Sequence, residues 1–177
     1  MSETVREHKS KAPSKLNFAL IMCSTSRYRK IERGESVSDP SSELIGRILK
    51  EHGYRIVMRR LVPDDYELIR DAVKEAASSR DVDVILTCGG TGVSPLDITI
   101  ETVKPLLEKE LEGFGDIFRM ISYKEIGSAA IMTRTLAGIL DGKVIFCLPG
   151  SPNAVALALK ELILKEAGHI IKHLREK

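Results

Sequence analysis

The sequence predicts a three-layer α/β domain with a mostly parallel sheet. Short, nearly all-apolar runs are typical of strands covered on both faces, and segments of helical periodicity lie between them. Repeated alternation of strand and helix is the pattern of a sheet with crossover helices on both faces. Since domains average about 150 residues, we expect a single domain over residues 16–177, preceded by a flexible polar tail at residues 1–15.

The first strand is predicted at Leu16–Cys23, because the run LNFALIMC is almost entirely apolar. The charged stretch 27–38 that follows is predicted to be a loop. Asp39 and Pro40 have the residue types of a helix N-cap and a first helical position, and Gly53 is typical of a helix end. We therefore predict a helix from Asp39-Pro40 to about residue 52.

A second strand is predicted at Arg55–Val62, and Asp64 is assigned as the N-cap of the next helix, because DDYE has the spacing of a capping box. A third strand, Val82–Cys88, ends at a glycine cluster. The helix after that cluster is predicted at Ile98–Leu111, with a kink or break at Pro105.

The segment FGDIFRMISYKEIG is predicted to be helical, whereas SAAIMTRTLAGIL is compatible with either helix or strand. Another strand is predicted at Lys143–Leu148, and a long helix from Pro152 to about Leu174 follows it.

Composition excludes several classes of protein. Lys+Arg total 27 against Asp+Glu 25, a balance that argues against a nucleic-acid binder. The aromatic content of 5%, without Trp, argues against a stacking platform for single strands. No signal peptide and no run of about 18 apolar residues is present, so we expect a cytoplasmic protein without a membrane partner. Gln is absent and Asn is rare, which resembles the composition of heat-stable proteins.

Cysteine and histidine chemistry has little support in the sequence. Cys23, Cys88 and Cys147 are too scattered for a disulfide framework and are expected to be buried as small apolar side chains. His169 and His173 are four residues apart, but they lack the glutamate of an HExxH motif, so a metal site there is not expected. No evident Ser–His or Cys–His pairing supports a hydrolytic nucleophile.

Small and polar residues follow the predicted strands at the point where each strand ends. These segments are Ser24–Arg27, Pro63–Asp65, Gly89–Asp97 and Pro149–Pro152. In α/β folds, ligands bind outside the carboxyl ends of the strands. We therefore expect the ligand site at this edge, where the cationic side chains are either phosphate contacts or solvated: Arg27, Arg119, Lys124 and Arg134.

The loop GGTG, residues 89–92, is open to two interpretations. Its backbone amides can close on an oxyanion or a heterocycle, because glycine has no Cβ, or the loop is only a tight turn. It lacks the ending of a P-loop and the spacing of a dinucleotide fold.

Two serine-proline pairs, Ser94-Pro95 and Ser151-Pro152, have the pattern of helix N-caps, and capped N-termini at one edge also bind anions. Asp97 is three residues after Ser94 and has the spacing to complete a capping box. If their strands are neighbours, Asp64 and Asp97 instead converge, and two carboxylates beside a phosphate suit Mg²⁺.

Four segments together resemble the MoaB/MogA family of molybdenum cofactor biosynthesis proteins: CGGTGVSPLDITIETV, GFGDIFRMISYKEIGSAA, TRTLAG and CLPGSPNAV. The resemblance covers about residues 16–172. It implies the MogA-like fold, binding of molybdopterin and, in active members, transfer of AMP from Mg·ATP to the terminal phosphate of molybdopterin. It also implies a homo-oligomer, either a trimer or a hexamer, and the molybdenum-insertion enzyme as a possible partner.

By position, the resemblance implies that Asp64 and Asp97 are the catalytic acidic residues and the ligands of Mg²⁺. The residues assigned to substrate binding are Ser24, Thr25, Gly89, Gly90, Thr91, Gly92, Arg119, Ser122, Pro149, Gly150, Ser151 and Pro152. Nucleotidyl transfer needs no covalent nucleophile, and this agrees with loops rich in Gly, Ser, Thr and Asp.

Three positions depart from the family pattern: Thr25 replaces a frequent aspartate, Ser42 a glycine, and Thr133 a serine. The alternative to an adenylyltransferase is therefore a non-catalytic molybdopterin-binding or carrier protein. A third interpretation is the same fold acting on another pterin-like or nucleotide substrate.

Overall fold

A six-stranded sheet forms the centre of the computed structural model, which describes residue 13 and residues 15–176. The strands are β1 (Asn17–Cys23), β2 (Arg55–Val62), β3 (Val84–Cys88), β4 (Lys109–Glu110), β5 (Leu136–Leu140) and β6 (Lys143–Leu148). Their order is β2-β1-β3-β6-β5-β4. β1 runs parallel to β2 and β3, and β3 parallel to β6, while β5 is antiparallel to β4 and β6. The mostly parallel sheet is confirmed.

Helices cover both faces of this sheet. They are α1 (Thr25–Glu32), α2 (Pro40–Glu51), α3 (Tyr66–Ser78), α4 (Thr99–Val103), α5 (Glu112–Ile126), α6 (Pro152–Ala158) and α7 (Leu164–Arg175). Short 3₁₀ helices follow α4 and α5, and a π-helical segment, Leu159–Ile163, joins α6 to α7. None of the described helices is long and apolar enough to cross a membrane.

The side chains of β1 show how the two cores form. Phe18, Leu20 and Met22 pack on one face with residues of α2, α5, α6 and α7. Ala19, Ile21 and Cys23 alternate with them and pack on the other face with residues of α3 and α4. Because successive side chains of a strand point to opposite faces, this pattern places the sheet as the middle of three layers, as predicted.

The three cysteines lie at or next to the carboxyl ends of β1, β3 and β6 and are buried as predicted. Burial raises the pKa of each thiol to about 12: Cys23, Cys88 and Cys147. Their thiols are therefore protonated at neutral pH and are not reactive nucleophiles.

His169 and His173 face each other on α7, with 2.9 Å between their Nε2 atoms. Within the described part of the chain, no group of three or more His, Cys, Asp or Glu side chains could hold a metal ion. The predicted tail at residues 1–15 lies almost entirely outside the described residues, and its flexibility stays a prediction.

The predictions for residues 27–38 and 98–111 differ from the structure. Residues 27–32 of the predicted loop 27–38 belong to helix α1, whose N-cap is Ser24. This helix has no buried residue, so it shows no apolar periodicity in the sequence. The helix predicted at Ile98–Leu111 ends early, at Val103. A 3₁₀ helix containing Pro105 follows it and leads into β4, because Pro105 has no backbone N–H to continue the α-helical hydrogen bonds.

The N-cap of α3 is Asp65 and not the predicted Asp64. The Oδ1 atom of Asp65 accepts a hydrogen bond of 3.0 Å from the backbone N–H of Leu68. The carboxylate of Asp64 bonds to Thr25 instead, 39 residues earlier in the chain. By contrast, the predicted cap at Asp39 is confirmed, since its Oδ1 accepts from the N–H of Ser42 at 3.0 Å.

The corrected cap can be tested by unfolding in urea. We expect Asp65→Ala to lower the free energy of unfolding by about 1 kcal/mol, because an N-terminal N–H of α3 loses its acceptor. Asp65→Asn keeps a side-chain oxygen and should stay within a few tenths of a kcal/mol of the parent chain. Equal stability of Asp65→Ala and the parent would contradict this assignment.

Candidate functional site

The site lies where the carboxyl ends of β1, β3 and β6 meet. β2 and β3 lie on opposite sides of β1, so a topological switch point of the sheet falls at β1 and β3, where α/β proteins bind ligands. A cavity of about 570 Å³ opens at this edge. Its walls come from the glycine loop at residues 89–92, the turn at residues 149–151, helix α5 with the 3₁₀ helix after it, and α6.

The glycine loop packs so closely on its neighbours that two of its positions exclude a side chain. Gly89 has a φ of +103°, and a Cβ there would overlap the backbone carbonyl oxygen of Cys23. Gly90 has a φ of +61°, and a Cβ there would lie 2.8 Å from Oδ1 of Asp64. Both conformations favour glycine, and both bring the backbone directly against the ends of β1 and β2.

Asp64 is held by Thr25, the first residue of α1. Its Oδ2 accepts hydrogen bonds from the Thr25 backbone N–H at 3.1 Å and from the Thr25 hydroxyl at 2.6 Å. The Asp64 backbone N–H in turn donates to the Thr25 hydroxyl oxygen at 2.9 Å. Oδ1 of Asp64 is buried and has no hydrogen-bond partner. An unsatisfied buried acceptor costs about 1–3 kcal/mol, and a bound cation would satisfy it.

Asp97 lies against the same loop. Its Oδ2 accepts from the backbone N–H of Ser94 at 2.9 Å, and a Cβ on Gly92 would lie 2.7 Å from that oxygen. The predicted helix start at Ser94-Pro95 is wrong: these residues form a turn, and α4 begins only at Thr99. The spacing that suggested a capping box belongs to this turn. A hydrogen bond of 2.9 Å from the Asp97 N–H to the Ser94 carbonyl oxygen closes it.

The two carboxylates therefore contact positions 90 and 92 of one loop, whose Cα atoms are at most about 7 Å apart. Mg²⁺ in nucleotide sites is usually held by one or two carboxylates, with waters and substrate phosphates completing its six ligands. The unpartnered oxygen of Asp64 and the half-buried carboxylate of Asp97 fit such an ion. A site made of protein ligands alone does not fit, because the described residues offer no third acidic, His or Cys ligand.

The turn after β6 is anchored from α2. The hydroxyl of Ser41, which is fully buried, donates to the carbonyl oxygen of Gly150 at 2.7 Å. Ser151 and Pro152 form the predicted N-cap and first turn of α6, with Ser151 Oγ accepting from the Ala154 N–H at 3.3 Å. This turn and the glycine loop line the same cavity.

Helix α5 and its neighbours contribute an apolar wall. Phe118 and Ser122 are buried and line the cavity, and further apolar lining comes from Ile126, Met132 and Leu157. Four of the residues predicted for the site do not themselves line the cavity: Ser24, Thr25, Asp64 and Pro152. Ser24 caps α1 instead, and Asp64 lies behind the glycine loop, against Gly90.

Of the two arginines Arg119 and Arg134, both predicted as candidate phosphate contacts, only Arg134 lines the main cavity. Arg119 pairs with Asp116 at 2.7 Å and lines a separate cavity, so the structure does not bring it to the site. Arg134 lines the main cavity, donates from Nη1 to the carbonyl of Gly92 at 2.9 Å and pairs with Glu101. Sequence reasoning named Arg134 only as a possible phosphate contact. Arg134 lies two residues before β5, whose start is at the edge of the sheet where the site lies.

Comparison with known proteins agrees with these features. The family model described as "Probable molybdopterin binding domain" matches residues 19–169. "Molybdenum cofactor biosynthesis protein B" of Bacillus cereus is 44% identical over 168 residues, which cover 94% of this chain and 95% of that protein. "Molybdopterin adenylyltransferase" of Pyrococcus furiosus is 44% identical over 176 residues, covering 97% of this chain and 99% of that protein.

A crystal structure of molybdenum cofactor biosynthesis protein B has the same fold. It matches with a TM-score of 0.86 and 42% identity, covering 94% of this chain and 100% of that chain. The resemblance inferred from the sequence motifs is thus confirmed over nearly the full length. The chain belongs to the molybdopterin-binding family of MoaB and MogA.

Proposed function

We propose that this chain transfers AMP from ATP to the terminal phosphate of molybdopterin and so acts in molybdenum cofactor biosynthesis. The observation that carries the proposal is the pair of carboxylates against one glycine loop, with Oδ1 of Asp64 buried and unpartnered. Mg²⁺ would be held by Asp64 and Asp97. The relatives named as adenylyltransferases support the same reaction.

The reaction needs positioning more than it needs a reactive side chain. An oxygen of the pterin phosphate attacks the α-phosphorus of ATP, the bond from that phosphorus to the bridging oxygen breaks, and pyrophosphate leaves. Mg²⁺, when bound, neutralises charge on the phosphates. The backbone N–H groups of the glycine loop and of the turn at residues 149–151 are the available donors for phosphate oxygens.

The cavity provides the place for the pterin. A volume of about 570 Å³ lies within the roughly 300–1,000 Å³ of small-molecule sites. Phe118, Met132 and Leu157 supply an apolar wall, while Ser122 and Asn153 supply hydrogen-bonding groups. We place the pterin ring against this wall and its phosphate towards the turn at Gly150-Ser151.

A second candidate is a molybdopterin carrier without catalysis. It is favoured by a departure from the pattern that the family resemblance implies: residue 25 is Thr25 in this chain and not aspartate, so that one acidic group is absent. Binding of molybdopterin is common to both candidates, and only release of pyrophosphate separates them.

The proposal includes a cytoplasmic location and a homo-oligomer, either a trimer or a hexamer. Exposed apolar side chains on α5 and the 3₁₀ helix after it support association, among them Met120, Tyr123 and Ile131, the last of which is 89% exposed. Transfer of the product to a molybdenum-insertion enzyme and stability to heat stay predictions.

Substitution of the two carboxylates tests the proposed reaction. With Mg·ATP and molybdopterin, we expect Asp64→Asn and Asp97→Asn each to lower the rate of pyrophosphate release at least 100-fold, because each removes a negatively charged ligand of Mg²⁺. Molybdopterin affinity should change less than threefold. Asp65→Asn, next to Asp64 but outside the site, is the matched control and should react at the parent rate.

Two other outcomes of this assay would contradict the Mg²⁺ assignment or the proposed reaction. Turnover of Asp97→Asn at the parent rate would exclude the assignment of Mg²⁺ to this residue. If the parent chain binds molybdopterin without any release of pyrophosphate, the carrier candidate is correct.

The two arginines provide a separate prediction. Arg134→Ala should raise the KM for molybdopterin at least tenfold, because Arg134 lines the cavity and fixes the carbonyl of Gly92. Arg119→Ala should change it less than twofold, since that side chain lies in another cavity. Steady-state kinetics of the two variants would contradict the structure if Arg119→Ala had the larger effect.

A further inference from the structure

We propose that Thr25 is a positioning residue, which holds Asp64 so that Oδ1 of the carboxylate lies buried against Gly90, without a hydrogen-bond partner, as a ligand for a divalent cation. This inference rests on the proposed function for its catalytic consequence. It replaces the role that the family resemblance implies for Thr25, which is direct contact with substrate.

The hydrogen bonds of Thr25 are the first argument. Its backbone N–H and its hydroxyl both donate to the same oxygen, Oδ2 of Asp64, at 3.1 and 2.6 Å. The hydroxyl oxygen also accepts from the Asp64 N–H at 2.9 Å. The single hydroxyl proton and the backbone N–H are thus both used within the protein, and neither is left to donate to a substrate phosphate.

The position of Oδ1 is the second argument. With Oδ2 held at the N-terminus of α1, the other oxygen of the carboxylate is directed to the glycine loop, where a Cβ at Gly90 would lie 2.8 Å from it. There Oδ1 is buried and without a hydrogen-bond partner. Rotation of the carboxylate would give up both bonds from Thr25, so the protein maintains the unsatisfied oxygen in this place.

The residue type at position 25 is the third argument. An aspartate there would set a second acceptor against Oδ2 of Asp64, and two carboxylates in contact repel each other. Threonine supplies a neutral donor instead. In this chain the cation ligands from protein are accordingly Asp64 and Asp97, and residue 25 acts only through Asp64.

Binding of Mn²⁺ in the presence of a non-hydrolysable ATP analogue, whose phosphates supply the remaining ligands of the ion, tests the inference without turnover. Thr25→Val keeps the branched shape and the backbone N–H but loses the hydroxyl, and we expect it to raise the Kd for Mn²⁺, measured by electron paramagnetic resonance, at least fivefold. Thr25→Ser retains the hydroxyl and should stay within twofold of the parent chain. Thr25→Ala also lacks the hydroxyl and replaces Thr25→Val if circular dichroism shows that the valine variant does not fold.

The kinetic effect should follow the same order. For Thr25→Val we expect a kcat at least tenfold lower and a higher Mg²⁺ requirement, with the KM for molybdopterin within twofold of the parent value. A changed KM for ATP or molybdopterin with unchanged Mn²⁺ affinity would overturn the inference, because it indicates direct substrate contact.

Failure of the inference and of the proposed function are distinguishable. A parent chain that does not release pyrophosphate contradicts the proposed function, while the Mn²⁺ affinities of the parent, Thr25→Val and Thr25→Ser still decide the role of Thr25. If Thr25→Val binds Mn²⁺ as the parent does, or if the parent does not bind Mn²⁺, the positioning role is wrong.

Discussion

The carboxylate of Asp64 connects three loops that are distant in the chain. It follows β2, its Oδ2 takes two hydrogen bonds from the N-terminus of α1, and its Oδ1 lies against Gly90 after β3. These contacts exist because β2, β1 and β3 are adjacent parallel strands, so their carboxyl ends meet at one edge of the sheet. The geometry of the glycine loop, and of the cavity that it lines, depends on this contact.

The rest of the site is built from backbone and small side chains. Ser41 fixes the turn at Gly150 from α2, and Arg134 fixes the carbonyl of Gly92 from the start of β5. Such groups suit a reaction between two phosphorylated substrates, because they present amide donors and carboxylates without adding a nucleophile. They also explain how a chain with a net charge of only +2 can bind anionic ligands. The backbone amide donors and the Arg134 guanidinium lie at the site itself, so the rest of the chain need not be basic.

Much of this arrangement is readable in the sequence, and the exceptions have physical reasons. The bounds of β2 and β6 match their predictions, because apolar runs between turn residues define strands well. Helix α1 is missed because it buries no residue. The choice between Asp64 and Asp65 as N-cap depends on Thr25, whose proximity is tertiary. Arg119 lies outside the main cavity, and its local pairing with Asp116 is a side-chain contact that the sequence motif does not specify.

The central claim is that Asp64 and Asp97 hold one cation at the glycine loop. It is tested most directly by anomalous scattering from crystals grown with Mn²⁺ and a non-hydrolysable ATP analogue. We expect a single strong peak at this loop, about 2 Å from Oδ1 of Asp64 and from an oxygen of Asp97, with phosphate oxygens completing its ligands. A nucleotide-bound peak that contacts neither carboxylate would contradict it.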